Sequence, residues 1–419
     1  NYVNINIPYV VDTGTVNNIV GPFSPAITVL NVGAVLLVKV AHSVTDVTTL
    51  KVNALLPKPV KAPDGSDLLP GDIVAGDVVE FNYDGTNFYV RPNPSINVST
   101  TITVNPTGRF HSVAAVMTAI GRKTIAPTAF LTIQLPTGIF TPIEVYHKDA
   151  DQIIVKGTMI TSPPVYGNFS VTGSSTAAKA ADSANNIVML RSRYGTEVQV
   201  APSNVGNAAP NHAAGVWNDG PGSPTFQDLL ITGDNHPPYT GSIWAPTSLG
   251  NYRIAGFYAG YAHNAILKNI ATWGCTCGIL AVAATINIDG TCFACGHWSS
   301  GVEGDNGARI HVSQSIMCLG NTGVGVWAAG LSSIAVIAPI GGVPQSYAQC
   351  NDFGCAASFS YIDFSGASIL GNANTDAICN YNAVIVVTLA SVGSVSPAGN
   401  VWGVGGHMVS GGGYPATPV

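Results

Sequence analysis

Residues 308–321, ARIHVSQSIMCLGN, and residues 323–338, GVGVWAAGLSSIAVIA, decide the fold. Each is a short run rich in β-forming side chains, broken by Gly or Asn rather than by a helix-length polar face. The same kind of segment recurs on both sides, as AILKNIATW (265–273), GILAVAATINIDG (278–290), ASFSYIDFSGASILGN (357–372) and AVIVVTLASVGS (383–394). Cys295 and Cys318 are 23 positions apart, and Cys355 and Cys379 are 24 apart. Self-similarity at 20–50 residues is the mark of stacked repeats. From about Ile254 to Gly406 the spacing predicts the coils of a parallel β-helix, with PIGGVPQSYAQCND (339–352) as an insertion. A flat two-sheet sandwich is the competing arrangement.

Composition agrees with a solenoid. Of 419 residues 46% are hydrophobic and 9% charged, with 47 Gly and 27 Pro; an ordinary domain carries about 25% charged residues. Such a chain either associates over much of its surface or is solvated by hydroxyl and amide groups. A net charge of −6 without a basic run excludes nucleic acid as a partner. The uncharged stretch from Ala377 is interrupted throughout by Gly, Ser, Asn and Pro, so insertion in a membrane is not expected. The sequence begins at Asn1 with no signal-peptide pattern, and its localisation is not read from a leader.

Towards the N-terminus, residues 1–92 read as short strands. Val35–Val40 and Thr48–Leu56 are apolar runs, and Asp84-Gly85 lies between Phe81-Asn82-Tyr83 and Asn87-Phe88-Tyr89-Val90, a pattern that predicts a type I′ hairpin. TLKVNALLPKPV (49–60) and DGSDLLPGDIVAGDVVEFNYDGTNFYV (64–90) resemble a module common in phage tail-fibre and tail-spike proteins. The matching elements are Thr49-Leu50-Lys51-Val52-Asn53, Lys58-Pro59, Pro70-Gly71-Asp72-Ile73 and Tyr83-Asp84-Gly85-Thr86-Asn87-Phe88. The chain departs from that family at AHSVTDVTTL (41–50), where an Asn-Thr-Gly turn is usual. The resemblance covers about residues 30–92 and implies a virion tail appendage that meets tail or baseplate proteins. It says nothing of the ligand.

Residues 93–108 read as a linker. Ser112–Gly121 is predicted helical, with Val113, Val116, Met117 and Ile120 on one face. Together with TIQLPTGIF (132–140) and DQIIVKGT (151–158), the helix resembles the opening of pectate-lyase-like solenoids in phage tail spikes, where it would cap the stack over residues 109–161. Residues 162–253 read as early coils with long loops, among them GSSTAAKAADSANN (173–186), with short strands at Ile187–Arg191 and Asp228–Thr232. Residues 254–419 hold the main solenoid and a C-terminal segment. The expected fold is therefore all-β: a small N-terminal β module followed by a right-handed parallel β-helix, assembled as a homotrimer that buries its uncharged walls.

Cofactor chemistry is not expected, because no P-loop, dinucleotide fingerprint, nucleophile elbow or His-Glu-x-x-His motif is present. Glycan cleavage needs two carboxylates, and Glu303, Asp305 and Asp289 are the candidates; Glu303–Gly307 is equally turn composition. Trp298, Trp327, Tyr347, Trp217 and Trp244 are candidates for stacking on sugar faces, or for packing. Cys275, Cys277, Cys292, Cys295, Cys318, Cys350, Cys355 and Cys379 fit either disulfides or buried core thiols. A zinc set of Cys275, Cys277, Cys292 and Cys295 has unusual spacing, so no metal is expected. The function implied is a phage tail spike or fibre, extracellular on the virion, that binds bacterial surface polysaccharide. The alternatives are an endo-acting depolymerase on the same scaffold and a disulfide-stabilised structural decoration or connector.

Overall fold

The computed structural model describes residues 7–91, 95–173, 175–200, 212–218, 220–233, 253–261, 263–336, 347–349, 351, 353–363, 368–370, 372, 375–380, 383–388, 401–404 and 407–411. The chain divides into one unit of Asn1–Ile102 with Thr118–Thr132, and a second of Thr103–Met117 with Ile133–Val419.

The first unit holds a seven-stranded mixed sheet in the order Tyr9–Val11, Val35–Lys39, Val78–Tyr83, Phe88–Tyr89, Lys58–Lys61, Thr48–Val52, Asn18–Gly21. Alternating side chains from these strands build its core, including Leu36, Val38, Leu50, Val60, Phe81 and Phe88. Buried Asp12 ties its loops together, accepting from the N–H groups of Gly14 (2.7 Å), Val20 (2.8 Å) and Ala41 (3.1 Å). The Asp84-Gly85 turn differs from a type I′ hairpin. Tyr83 pairs with Phe88, so four residues form the loop, and only Gly85 among them has positive φ. The Asp84 carboxylate accepts from Thr86 N and Asn87 N, both at 2.7 Å; these bonds lower its pKa and supply the closure that a two-residue turn would have given. The stretch read as a linker contains strands Ser95–Ile96 and Thr100–Thr103.

The second unit is a parallel β-helix. Each coil contributes one strand to each of three sheets, and from Gly138–Phe140 to Tyr361–Asp363 each described strand pairs in parallel with the third described strand on. Thr285 pairs with Arg309 and Arg309 with Ser333 on the first sheet, 24 positions per coil. Cys292 pairs with Ile316 on the second sheet, and Glu303 with Trp327 on the third. The interior is filled by stacked apolar residues: Phe226, Leu267, Ile288 and Val312 from the first sheet, and Val216, Phe257, Ile279, Val302 and Val326 from the third.

The corner between the second and third sheets is held by a ladder of buried amides. Gly274, Gly296 and Gly320 turn the chain with φ of 64–68°, a conformation open to glycine without strain. The residue after each faces inward. His297 N donates to Asn321 Oδ1 (2.9 Å), Asn321 N to Asn351 Oδ1 (2.9 Å) and Asn351 N to Asn372 Oδ1 (2.9 Å). The side-chain amide of Asn321 also donates to Asn351 Oδ1 (2.8 Å) and Ala294 O (3.2 Å). His297 Nδ1 accepts from Cys275 N (3.2 Å), which leaves the proton on Nε2 to reach Thr272 Oγ1 at 3.0 Å. Each coil thereby satisfies the backbone of its neighbour.

Two helices of α type occur among the described residues. α1, Val113–Ile120, lies where the sequence predicts it, with Ser112 Oγ accepting from Ala115 N (3.2 Å). α2, Thr176–Arg193, replaces the expected loop and the expected strand at Ile187–Arg191. Ser175 caps it by accepting from Ala178 N at 3.2 Å. Its inward face mixes Lys179, Asp182, Ser183 and Asn186 with Ile187 and Leu190, so apolar periodicity alone does not reveal it. α2 covers the outer side of the second sheet, packing with Leu230, Ala271, Phe293, Met317 and Leu319. The chain thus covers this wall with its own helix.

Candidate functional site

Three of the sequence candidates fall on one row. On the outer side of the third sheet Trp217 pairs with Tyr258, Tyr258 with Leu280, Leu280 with Glu303 and Glu303 with Trp327. Strand spacing sets neighbours in the row about 4.8 Å apart. Glu303–Asp305 belongs to strand Ser300–Asp305, and the turn begins at Asn306-Gly307. Glu303 is therefore not a solvated turn residue. It is 1% exposed, and its Oε2 accepts from Ser300 Oγ (2.7 Å) and from Cys277 Sγ (3.1 Å). Trp217 and Tyr258 are also buried, joined with Ala214, Ala255, Cys277, Leu280 and Val282 in one apolar cluster, whereas Trp327 is half-buried.

Asp305 is two residues beyond Glu303 and points the same way, because Gly304 between them faces Ile334 in the core. Side chains at i and i+2 of a strand stand about 7 Å apart, within the roughly 6.5–9.5 Å that an inverting glycosidase places between its carboxyl groups. Asp289 is at another corner, after first-sheet strand Thr285–Ile288, where it accepts from Ser313 Oγ at 3.2 Å. Trp298 is buried in the corner beside His297. Tyr347 begins a second-sheet strand, and Trp244 lies outside the described residues.

The cysteines resolve towards the core reading. Cys275, Cys277, Cys292, Cys295, Cys318 and Cys355 are buried free thiols rather than disulfides; Cys350 lies outside the described residues, and of Cys379 only the backbone is described. Burial pushes the Cys275, Cys292 and Cys295 thiols up to about 12, and raises Cys318 as well. The 23-residue spacing of Cys295 and Cys318 is one short of the register: Cys295 pairs with Leu319, and Cys318 with Ala294. Among the described residues no group of His, Cys, Asp or Glu is placed to hold a metal, and no helix is long and apolar enough to cross a membrane.

The first sheet presents the solenoid's polar wall. Outward positions hold Gln227 and Lys268 side by side, then Asn287 and His311, and Thr285 beside Arg309. Arg309 and His311 are exposed and the others half-buried, while their inward neighbours Ile286, Ile288, Ile310 and Val312 are core. Lys268, Asn287 and His311 do not stand out as binding residues in the sequence, because each is a lone polar residue in an apolar run. Strand alternation within a repeat is the signal that gathers them.

No family model and no curated protein sequence matches the chain. Among solved structures it is similar to a GH136 lacto-N-biosidase from Eubacterium ramulus, at 11% identity and a TM-score of 0.19 over 71% of this chain. The chain spans 64% of the length of that protein.

Proposed function

We propose that the chain is a bacterial-virus tail spike or receptor-binding fibre that attaches, as a homotrimer, to polysaccharide on the host surface. The observation that carries this reading is the outer wall of the first sheet. There Gln227, Lys268, Asn287, Arg309 and His311 stand on successive coils as a comb of donors and acceptors. A sugar polymer offers hydroxyls at every residue, and such a comb meets them repeatedly without a deep pocket. The N-terminal unit, whose strands carry the tail-module motif, supplies the virion-side attachment. The test is binding of polysaccharide from candidate hosts to the full chain and to a variant combining Asn287→Ala, Arg309→Ala and His311→Ala. The triple variant is expected to bind at least about tenfold more weakly, several lost hydrogen bonds of about 1 kcal/mol each being involved. Unchanged binding refutes the assignment of this wall.

The Glu303–Asp305 spacing favours a second reading, cleavage of the bound glycan. New reducing ends from wild-type protein, abolished in Glu303→Gln, support it. No product from a glycan that the protein holds removes it.

A further inference from the structure

The outer wall of the first sheet alternates cation and amide from coil to coil. Lys156 ends strand Ile153–Lys156 and pairs with Gln227; Gln227 pairs with Lys268, the last residue of Ala265–Lys268. On the next coil Asn287 pairs with Ile266 of Lys268's strand and with His311, which shares its strand with Arg309. Lys156, Gln227, Lys268, Asn287 and Arg309 therefore follow one another on successive coils. Their sequence neighbours Val155, Phe226, Leu267, Ile288 and Ile310 are core, so strand alternation turns all of them outward. Lys268 lies two residues after the row of Asn287 and His311, and Arg309 two residues before it, so the line of cations crosses the wall obliquely. These cations also differ from the others of the solenoid. Lys148 meets Asp149 and Arg191 meets Glu197, while Lys179 donates to Asn321 O and Arg193 to Ser162 O. Lys156, Lys268 and Arg309 have no carboxylate or carbonyl partner among the described residues. The nearby acids are engaged instead by hydroxyls: Asp289 accepts from Ser313 Oγ (3.2 Å) and Asp363 from Tyr361 Oη (3.4 Å).

We propose that this wall takes an acidic polysaccharide bearing one anionic group on every second sugar, the cations meeting the acids and the amides the hydroxyls between them. The inference rests on the polysaccharide reading above and adds the class of polymer. Two observations select it. A chain of net charge −6 repels an acidic polymer overall, and the cations left without internal partners stand together on the one wall where they would reverse that repulsion and form charge-assisted hydrogen bonds. The cations also recur every second coil, about 10 Å apart along the stack at strand spacing. That is the reach of two sugars in an extended chain, so wall and polymer stay in step over several coils. A neutral polymer would engage the amides and leave all three cations unused.

The experiment measures binding of the full chain to hyaluronan, whose carboxylate recurs on every second sugar, and to carboxyl-reduced hyaluronan, its neutral counterpart. Wild type is expected to hold the acidic form at least about tenfold more tightly, and to weaken at least about tenfold from low to high salt as exposed charge pairs are screened. A variant combining Lys156→Gln, Lys268→Gln and Arg309→Gln is expected to lose both the preference and the salt dependence. Lys156→Arg with Lys268→Arg keeps the charges and is expected to keep both. Equal binding of the two polymers, a triple variant that retains the preference, or a double-arginine variant that loses it overturns the acidic class and leaves the polysaccharide reading standing. So does a protein that holds a host polysaccharide but not hyaluronan. Failure to hold any polysaccharide overturns both.

Discussion

Replacing Asn321 by Ala removes the centre of the corner ladder, and the structure sets the size of the loss. The Asn321 side chain accepts from His297 N and donates to both Asn351 Oδ1 and Ala294 O. Asn321 itself is 0% exposed, so water does not replace it without opening the coil. An orphaned buried N–H costs about 1–3 kcal/mol, and each further bond lost about 0.5–1.5 kcal/mol. With two further bonds lost the sum is about 2–6 kcal/mol, before any cavity left by the missing amide. Hydrogen exchange read by mass spectrometry reports it coil by coil. Protection should fall most for peptides holding His297, Asn321 and Asn351, and little for the first unit. Asn321→Asp keeps the acceptor for His297 N but offers no donor to Asn351 Oδ1 or Ala294 O at neutral pH, and should be at least as damaging. Protection in Asn321→Ala within about 0.5 kcal/mol of wild type, the scatter of an ordinary surface substitution, would show that the ladder is not what joins the coils.

Three further outcomes follow from other residues. Gly278→Ala should destabilise by about 3 kcal/mol or more as an overpacked site, since its Cβ would lie 2.5 Å from Gly301 O and 2.6 Å from His297 Nε2, whereas Gly304→Ala, with nearest atoms at 3.5 Å, should cost little; equal melting temperatures for the two variants contradict this geometry. The thiols of Cys275, Cys292, Cys295 and Cys318, raised by burial, should resist alkylation at pH 8 in the native protein and react in denaturant; native labelling at these sites, or disulfides found without reductant, refutes the buried-thiol reading. Burial raises the Glu197 carboxyl, but bonds from Arg191 (2.7 and 2.9 Å), Thr232 and Gln199 and the guanidinium charge outweigh it and leave the group below 4.5. Its contribution is therefore present above pH 4.5 and lost as pH falls through the lowered value. Arg191→Met leaves burial opposed only by the Thr232 and Gln199 bonds, so the variant should lose about 1–2 kcal/mol at pH 7, allowing for a half-exposed guanidinium, and less at pH 4; a loss that does not shrink on acidification refutes it.

The parallel coils were legible because Gly and Asn punctuate short apolar runs at coil spacing. The better marker lay beside the cysteines. Gly274, Gly296 and Gly320 begin each turn, and Gly278, Gly301 and Gly325 follow within five positions, each backed closely against the next coil. The cysteines gave nearly the right period but the wrong partners, because neither Cys295 nor Cys318 stacks on a thiol. α2 was hidden because its buried face is half polar: Asp182 accepts from Ser170 Oγ (2.7 Å) and Thr172 N (2.6 Å), and Ser183 Oγ from Trp273 Nε1 (2.9 Å). Those bonds pin a helix that hydrophobic pattern alone would not detect. Glu303 was visible as a candidate, yet its turn-like neighbours concealed that it stands on a strand with Trp217 and Trp327 in its row.

The amide ladder also bears on how the chain comes to be folded. Because His297, Asn321 and Asn351 each donate a backbone bond to the side chain of the next coil, a finished turn is a template for the one that follows. Growth can proceed like a zipper from any seed, in step with emergence from the ribosome. A mistake then halts the zipper locally, leaving the turns already closed intact.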